Sequence, residues 1–143
     1  NYSGEDMVEI KKQITYVKTI GINHIVFGAL NKDHRVDIDN IKRVSDWSFP
    51  MKITFHKAID ASAEFFTDIE ALVNTKRIDS LLTSGKSTTA ESGASIIKKV
   101  ISFYGKNIKV ISAGKITKSN LNNIHRKISG SYYHGRKILG KLC

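Results

Sequence analysis

The stretch Lys52-Ile53-Thr54-Phe55-His56-Lys57-Ala58-Ile59-Asp60 decides how the rest of the chain is read. Pro50 punctuates its entry, and Ile53 and Phe55 alternate with Thr54 as in a β-strand. The strand then runs out into an imidazole, an ammonium and a carboxylate within five residues, His56, Lys57 and Asp60. Polar side chains at the carboxyl ends of strands are where α/β folds place their chemistry. His56, Lys57 and Asp60 are therefore the catalytic candidates.

Outward from this stretch, short apolar strands alternate with amphipathic helices. Upstream, Met7, Ile10, Ile14 and Val17 form one apolar stripe that predicts a helix over 5–20, with Ser3 as N-cap and Gly21 as stop. The run from His24 to Leu30 is too short for a helix and predicts a strand buried on both faces. A capping Asp37 or Asp39 predicts a helix carrying Ile38, Ile41 and Val44. Downstream, helices are predicted over 62–74 and 89–103 and after a capping Ser119. Strands are predicted over 77–83, over 108–112 and at Tyr132-Tyr133-His134.

Strand starts near 24, 52, 78, 108 and 131 recur at about 22 to 30 residues, the spacing of repeated βα units in a parallel sheet. An open doubly wound sheet and a (β/α)8 barrel both satisfy this pattern. No G-x-G-x-x-G or G-x-x-x-x-G-K-[ST] follows any strand, which weakens dinucleotide and P-loop readings. Polar residues close nearly every strand (His56, Asp60, Ser84, Lys86, Lys115, His134), and a barrel brings such ends to one face. The fold class read here is α/β: a partial TIM (β/α)8-type barrel, five parallel strands in a single domain over residues 1–143. A whole barrel needs eight strands and about 250 residues. The expected partner is thus a missing N-terminal barrel segment or another copy of the chain.

The 143 residues are 41% hydrophobic, enough for a real core. Lys and Arg number 23 against 13 acidic residues, a formal charge of +10 that favours anionic partners. The lysines are dispersed and no nucleic-acid motif is present, so nucleic acid is not the expected partner. A single cysteine, Cys143, cannot form an internal disulfide, and no run is long enough to span a membrane. The expected compartment is the cytoplasm.

A second constellation points to anions. Ser84-Gly85 and Gly114-Lys115 each end a strand and precede a helix, where backbone N–H groups and a lysine can cradle an oxyanion. With His134, they are the ligand-binding candidates. This arrangement suits a lyase or isomerase acting on a phosphorylated metabolite, with Lys57 or His56 as base and Asp60 as its partner. The alternatives are tight βα turns without a ligand, and a partial barrel with no activity.

Val26-Phe27-Gly28-Ala29-Leu30, Thr54-Phe55-His56-Lys57-Ala58-Ile59-Asp60 and Leu82-Thr83-Ser84-Gly85, in that order, resemble the CutC family of copper homeostasis proteins, whose pattern is close to VFG-x-L, TFHRAFD and ILTSG. The resemblance covers essentially the whole chain. It implies a TIM barrel of which this sequence is the last five strands, a cytosolic setting, a link to copper tolerance and no established reaction. Lys57 stands for the family arginine, Ile59 for a phenylalanine, and Ala113-Gly114-Lys115 for a more glycine-rich turn. The family's last motif appears as Tyr133-His134-Gly135-Arg136. Copper(I) is the cofactor the resemblance implies, and it prefers thiolate and thioether with imidazole acceptable. His56 and His134, both at strand ends, are the metal-ligand candidates. Met7 and Met51 read as packing, Cys143 as a terminal thiol, His24 as structural, and His34 and His125 as solvated.

Overall fold

The computed structural model describes residues 2–139. Its elements are α1 (Gly4–Thr19), β1 (His24–Phe27), α2 (Ile38–Ser48), β2 (Lys52–Phe55), a 3-10 turn (Lys57–Ala61), α3 (Phe65–Thr75), β3 (Ser80–Thr83), α4 (Ala94–Tyr104), β4 (Lys109–Ala113), α5 (Leu121–Ile128) and β5 (Tyr132–His134). The strands form one sheet, all pairs parallel, in the order β1-β2-β3-β4-β5. A doubly wound sheet reverses its order at a switch point. The uninterrupted order here is that of a barrel sector. The sheet is not closed: among the described residues β1 and β5 are its two edges.

Local chemistry sets the helix starts. Ser3 caps α1 reciprocally, accepting from the Asp6 N–H at 3.1 Å while Asp6 accepts from the Ser3 N–H at 2.7 Å. Asp37 caps α2 by accepting from the Asn40 N–H at 3.0 Å. Two helices begin later than their sequence predicts. Helix α3 starts at Phe65 because the preceding residues continue the 3-10 turn and its exit. Helix α4 starts at Ala94, because Gly93 lies against the Ser84 carbonyl and holds the chain in turns before it.

The register separates the two faces of the sheet. Ile53, Phe55, Leu81 and Val110 point to the helix side and are essentially buried with Ile41, Val44, Ile69, Leu72 and Val100. Met7 and Met51 join this core, as packing residues. The opposite face carries Val26, Thr54, Ser80 and Lys109 in register. His24 Nε2 lies 2.7 Å from Thr54 Oγ1, which lies 2.6 Å from Ser80 Oγ, so one polar row crosses three strands. This face corrects the expectation that β1 is buried on both sides. Val26 is 64% exposed and Tyr132 is 45% exposed, because no described residue covers the side that a closed barrel would enclose.

Candidate functional site

The carboxyl ends of the strands meet at one rim, and His56 is the first residue beyond β2. Its ring caps the 3-10 turn: the Ala58 N–H donates to Nδ1 at 3.1 Å. A neutral ring that accepts at Nδ1 carries its proton on Nε2. Burial pushes the His56 pKa below its ordinary value, which favours that neutral form. The ring fits because position 28 is glycine. A Cβ there would lie 2.7 Å from the ring's Cε1 and Nδ1.

Asp60, at the far end of the turn, is clamped. Its Oδ1 accepts from the Thr83 hydroxyl at 2.5 Å and the Lys86 N–H at 3.0 Å. Its Oδ2 accepts from the Ser84 N–H at 2.9 Å, and the Ser84 hydroxyl shares its one proton between Oδ2 and the Ser87 carbonyl. Lys57 Nζ stands 3.9 Å away, completing an ion pair. The anion cradle expected at Ser84-Gly85 does exist, but the chain's own carboxylate fills it. The N–H groups of Ser84 and Lys86 are thereby taken from any ligand. The same engagement leaves Asp60 little freedom to shuttle protons.

The turn after β4 repeats the pattern without the carboxylate. Gly85 and Lys86 have positive φ of 67° and 58°, and Gly114 and Lys115 have 119° and 53°. Gly114 is required there, since a Cβ would come within 2.8 Å of the Ala90 nitrogen. Both carbonyls of this turn are tied, Gly114 to the Ala90 N–H and Lys115 to the Asn120 side-chain amide, each at 2.9 Å. Beside the turn lies an open pocket of about 470 Å³, lined by Lys57, Lys115, His134, Arg136 and Lys137 over a floor that includes Leu82 and Ile116.

The sequence candidates therefore divide. Lys57, Gly114, Lys115 and His134 share this pocket. His56 caps its turn, and Asp60, Ser84 and Gly85 form the clamp. Sequence reading missed Arg136 and Lys137, which look like part of a basic tail until the fold carries them to the rim. It also missed Thr83 and Lys86 as donors to Asp60, although the twice-repeated Gly-Lys pair was a signal. His24 bonds to Thr54 as a structural residue should. His125 is exposed but not merely solvated, since its Nδ1 lies 2.7 Å from the Tyr133 hydroxyl.

The CutC family model matches residues 1–139. The chain belongs to the CutC family. It is 30% identical to the human copper homeostasis protein cutC homolog over 133 residues, covering 93% of this chain and 48% of that one. Its identity to the Dictyostelium discoideum copper homeostasis protein cutC homolog is 27%, covering 93% and 56%. The chain thus spans about half the length of the curated CutC relatives it matches. A crystal structure of CutC from Streptococcus agalactiae superposes with a TM-score of 0.88 at 19% identity, covering 96% of this chain and 67% of that one. That likeness establishes the fold, a TIM-barrel-type α/β sheet.

The family name raises the question of copper. Among the described residues no group of three or more His, Cys, Asp or Glu side chains is placed to hold a metal ion. His56 offers no free lone pair, because Nδ1 accepts from Ala58 and Nε2 carries the proton. His134 lies in a pocket of cations, which repel a metal ion. Cys143 lies outside the described residues. The described donor set does not fit a copper(I) centre.

Proposed function

We propose that this chain acts in copper homeostasis as the carboxyl-terminal five βα units of a CutC barrel. The observation that carries the reading is the match to the family over residues 1–139, among relatives named copper homeostasis proteins. In this reading the chain handles copper without a resident metal site built from the described residues, which the absence of a three-ligand cluster among them supports. Disrupting the encoding gene should change copper tolerance in the host, with restoration by the intact gene. Unchanged tolerance would refute the role. In competition with a Cu(I) chelator, His56→Ala should leave copper retention by the chain unchanged; a large loss would show that His56 is a ligand after all. A cytoplasmic setting accords with the family, and among the described residues no helix is long and apolar enough to cross a membrane.

Two unpaired edges and an uncovered inner face also call for a partner. We propose that N-terminal βα units, or a second copy of the chain, cover them. Sedimentation of the 143-residue chain alone should show self-association. A monodisperse, cooperatively melting monomer would overturn this expectation.

A further inference from the structure

We infer that the pocket beside the Gly114-Lys115 turn is a binding site for a small phosphomonoester, with its phosphoryl group on the turn and its organic part on Leu82 and Ile116. Two successive βα turns have the same Gly-Lys pair at positive φ. After β3, the backbone N–H groups of Ser84 and Lys86 hold a carboxylate, that of Asp60. The Lys86 ammonium is engaged as well, donating to the Ser62 carbonyl at 2.6 Å.

After β4 the counterpart of Lys86 stands free. Among the described residues no protein acceptor meets the N–H of Lys115 or Ile116, and none meets the Lys115 ammonium. Unpaired N–H groups in a positive-φ turn form a concavity for anions. Lys57, Lys115, Arg136 and Lys137 around it form a cationic wall, and no acidic side chain lines the pocket. Lys57 already pairs with Asp60, whereas among the described residues Lys115, Arg136 and Lys137 have no acidic partner, so an anion in the pocket would be attracted by three uncompensated cations. Charge of that density suits a dianion better than a carboxylate, and a guanidinium and ammonium groups bind phosphate well. A pocket of about 470 Å³ holds a small metabolite, and its partly apolar floor argues for an organic phosphate over the bare ion.

The inference does not depend on the copper role, and its failure would leave that role standing. The test titrates the full chain with glycerol 3-phosphate, inorganic phosphate and glycerol, following backbone amides by NMR and affinity by calorimetry. Amide shifts should centre on Lys115 and Ile116, with glycerol 3-phosphate tighter than inorganic phosphate and glycerol silent. Lys115→Gln with Arg136→Gln should weaken binding by about tenfold or more, the scale of losing charged hydrogen bonds. Lys42→Gln with Lys98→Gln removes the same charge from exposed helix positions and should change affinity less than about twofold. Dispersed amide spectra verify that each variant is folded. Equal weakening by both pairs, shifts scattered over other basic residues, or no binding below about 10 mM would overturn the assignment. Tighter binding of inorganic phosphate would reduce it to a simple anion site and refute the phosphomonoester.

Discussion

Replacing Asp60 by alanine tests whether the rim is held together from within. The carboxylate is the acceptor for two backbone N–H groups and the Thr83 hydroxyl, and shares the Ser84 hydroxyl. Thr83 and Ser84 are fully buried, so water cannot reach their donors without opening the turn. The Lys86 N–H is at an exposed residue and can find water. Two buried donors, the Thr83 hydroxyl and the Ser84 N–H, are thus orphaned at about 1–3 kcal/mol each. The Ser84 hydroxyl keeps the Ser87 carbonyl, and the Lys57 pair, half exposed, adds little. The expected loss is about 4 kcal/mol, or a melting temperature lower by roughly 12 °C for a chain of this size. Urea unfolding and thermal melts measure it directly. The truncation also leaves a carboxylate-sized gap facing donors, so formate should restore part of the loss where chloride at equal ionic strength does not. A loss below about 1 kcal/mol would show that the donors find other partners, and that Asp60 is not the keystone of the turn.

Two further perturbations probe neighbouring elements. Burial pushes the Asp68 carboxyl up, but Arg35, the Ser62 hydroxyl and the Val36 N–H outweigh it and hold its pKa below the ordinary value. Its stabilising contribution is therefore complete above about pH 4 and disappears as pH falls through the folded-state pKa. Asp68→Asn should cost about 2–3 kcal/mol at neutral pH and flatten the acid limb of a stability-versus-pH curve; an unchanged limb would assign that limb to other carboxyls. Gly28→Ala should push the His56 ring off the Ala58 N–H, cost about 1–3 kcal/mol, and move the ring's NMR titration back toward the ordinary histidine value. An unaltered titration curve would mean that the backbone at 28 gives way instead.

The architecture was legible because periodicity and punctuation agreed. Met7 and Ile14 on one stripe, the Ile53–Phe55 alternation and the polar strand ends each specify an element on their own. The site was legible in its residues but not in its connections. Nothing local to Asp60 says that its acceptors face Thr83, Ser84 and Lys86, which lie 23 to 26 residues away and arrive only through the β2–β3 pairing. His56 likewise looked like a free strand-end imidazole, and only the turn geometry shows Nδ1 in use. The exposure of Val26 was illegible for a different reason: an apolar strand reads as buried on both faces, and among the described residues nothing covers this side of the sheet.

The polar row His24–Thr54–Ser80 bears on how the strands find their alignment. A slip of β2 by one residue is easily detected, since it turns Ile53 and Phe55 away from the core. A slip of two keeps every side chain on its proper face, and hydrophobic burial alone discriminates poorly against it. His24 natively faces Lys52 and reaches Thr54 diagonally; the slip would put Lys52 or His56 in that diagonal position, and Ser80 would lose the hydroxyl it meets at 2.6 Å. Three modest side chains on the uncovered face thus act as a proofreading mark, penalising the one misalignment that the greasy side of the sheet would let pass.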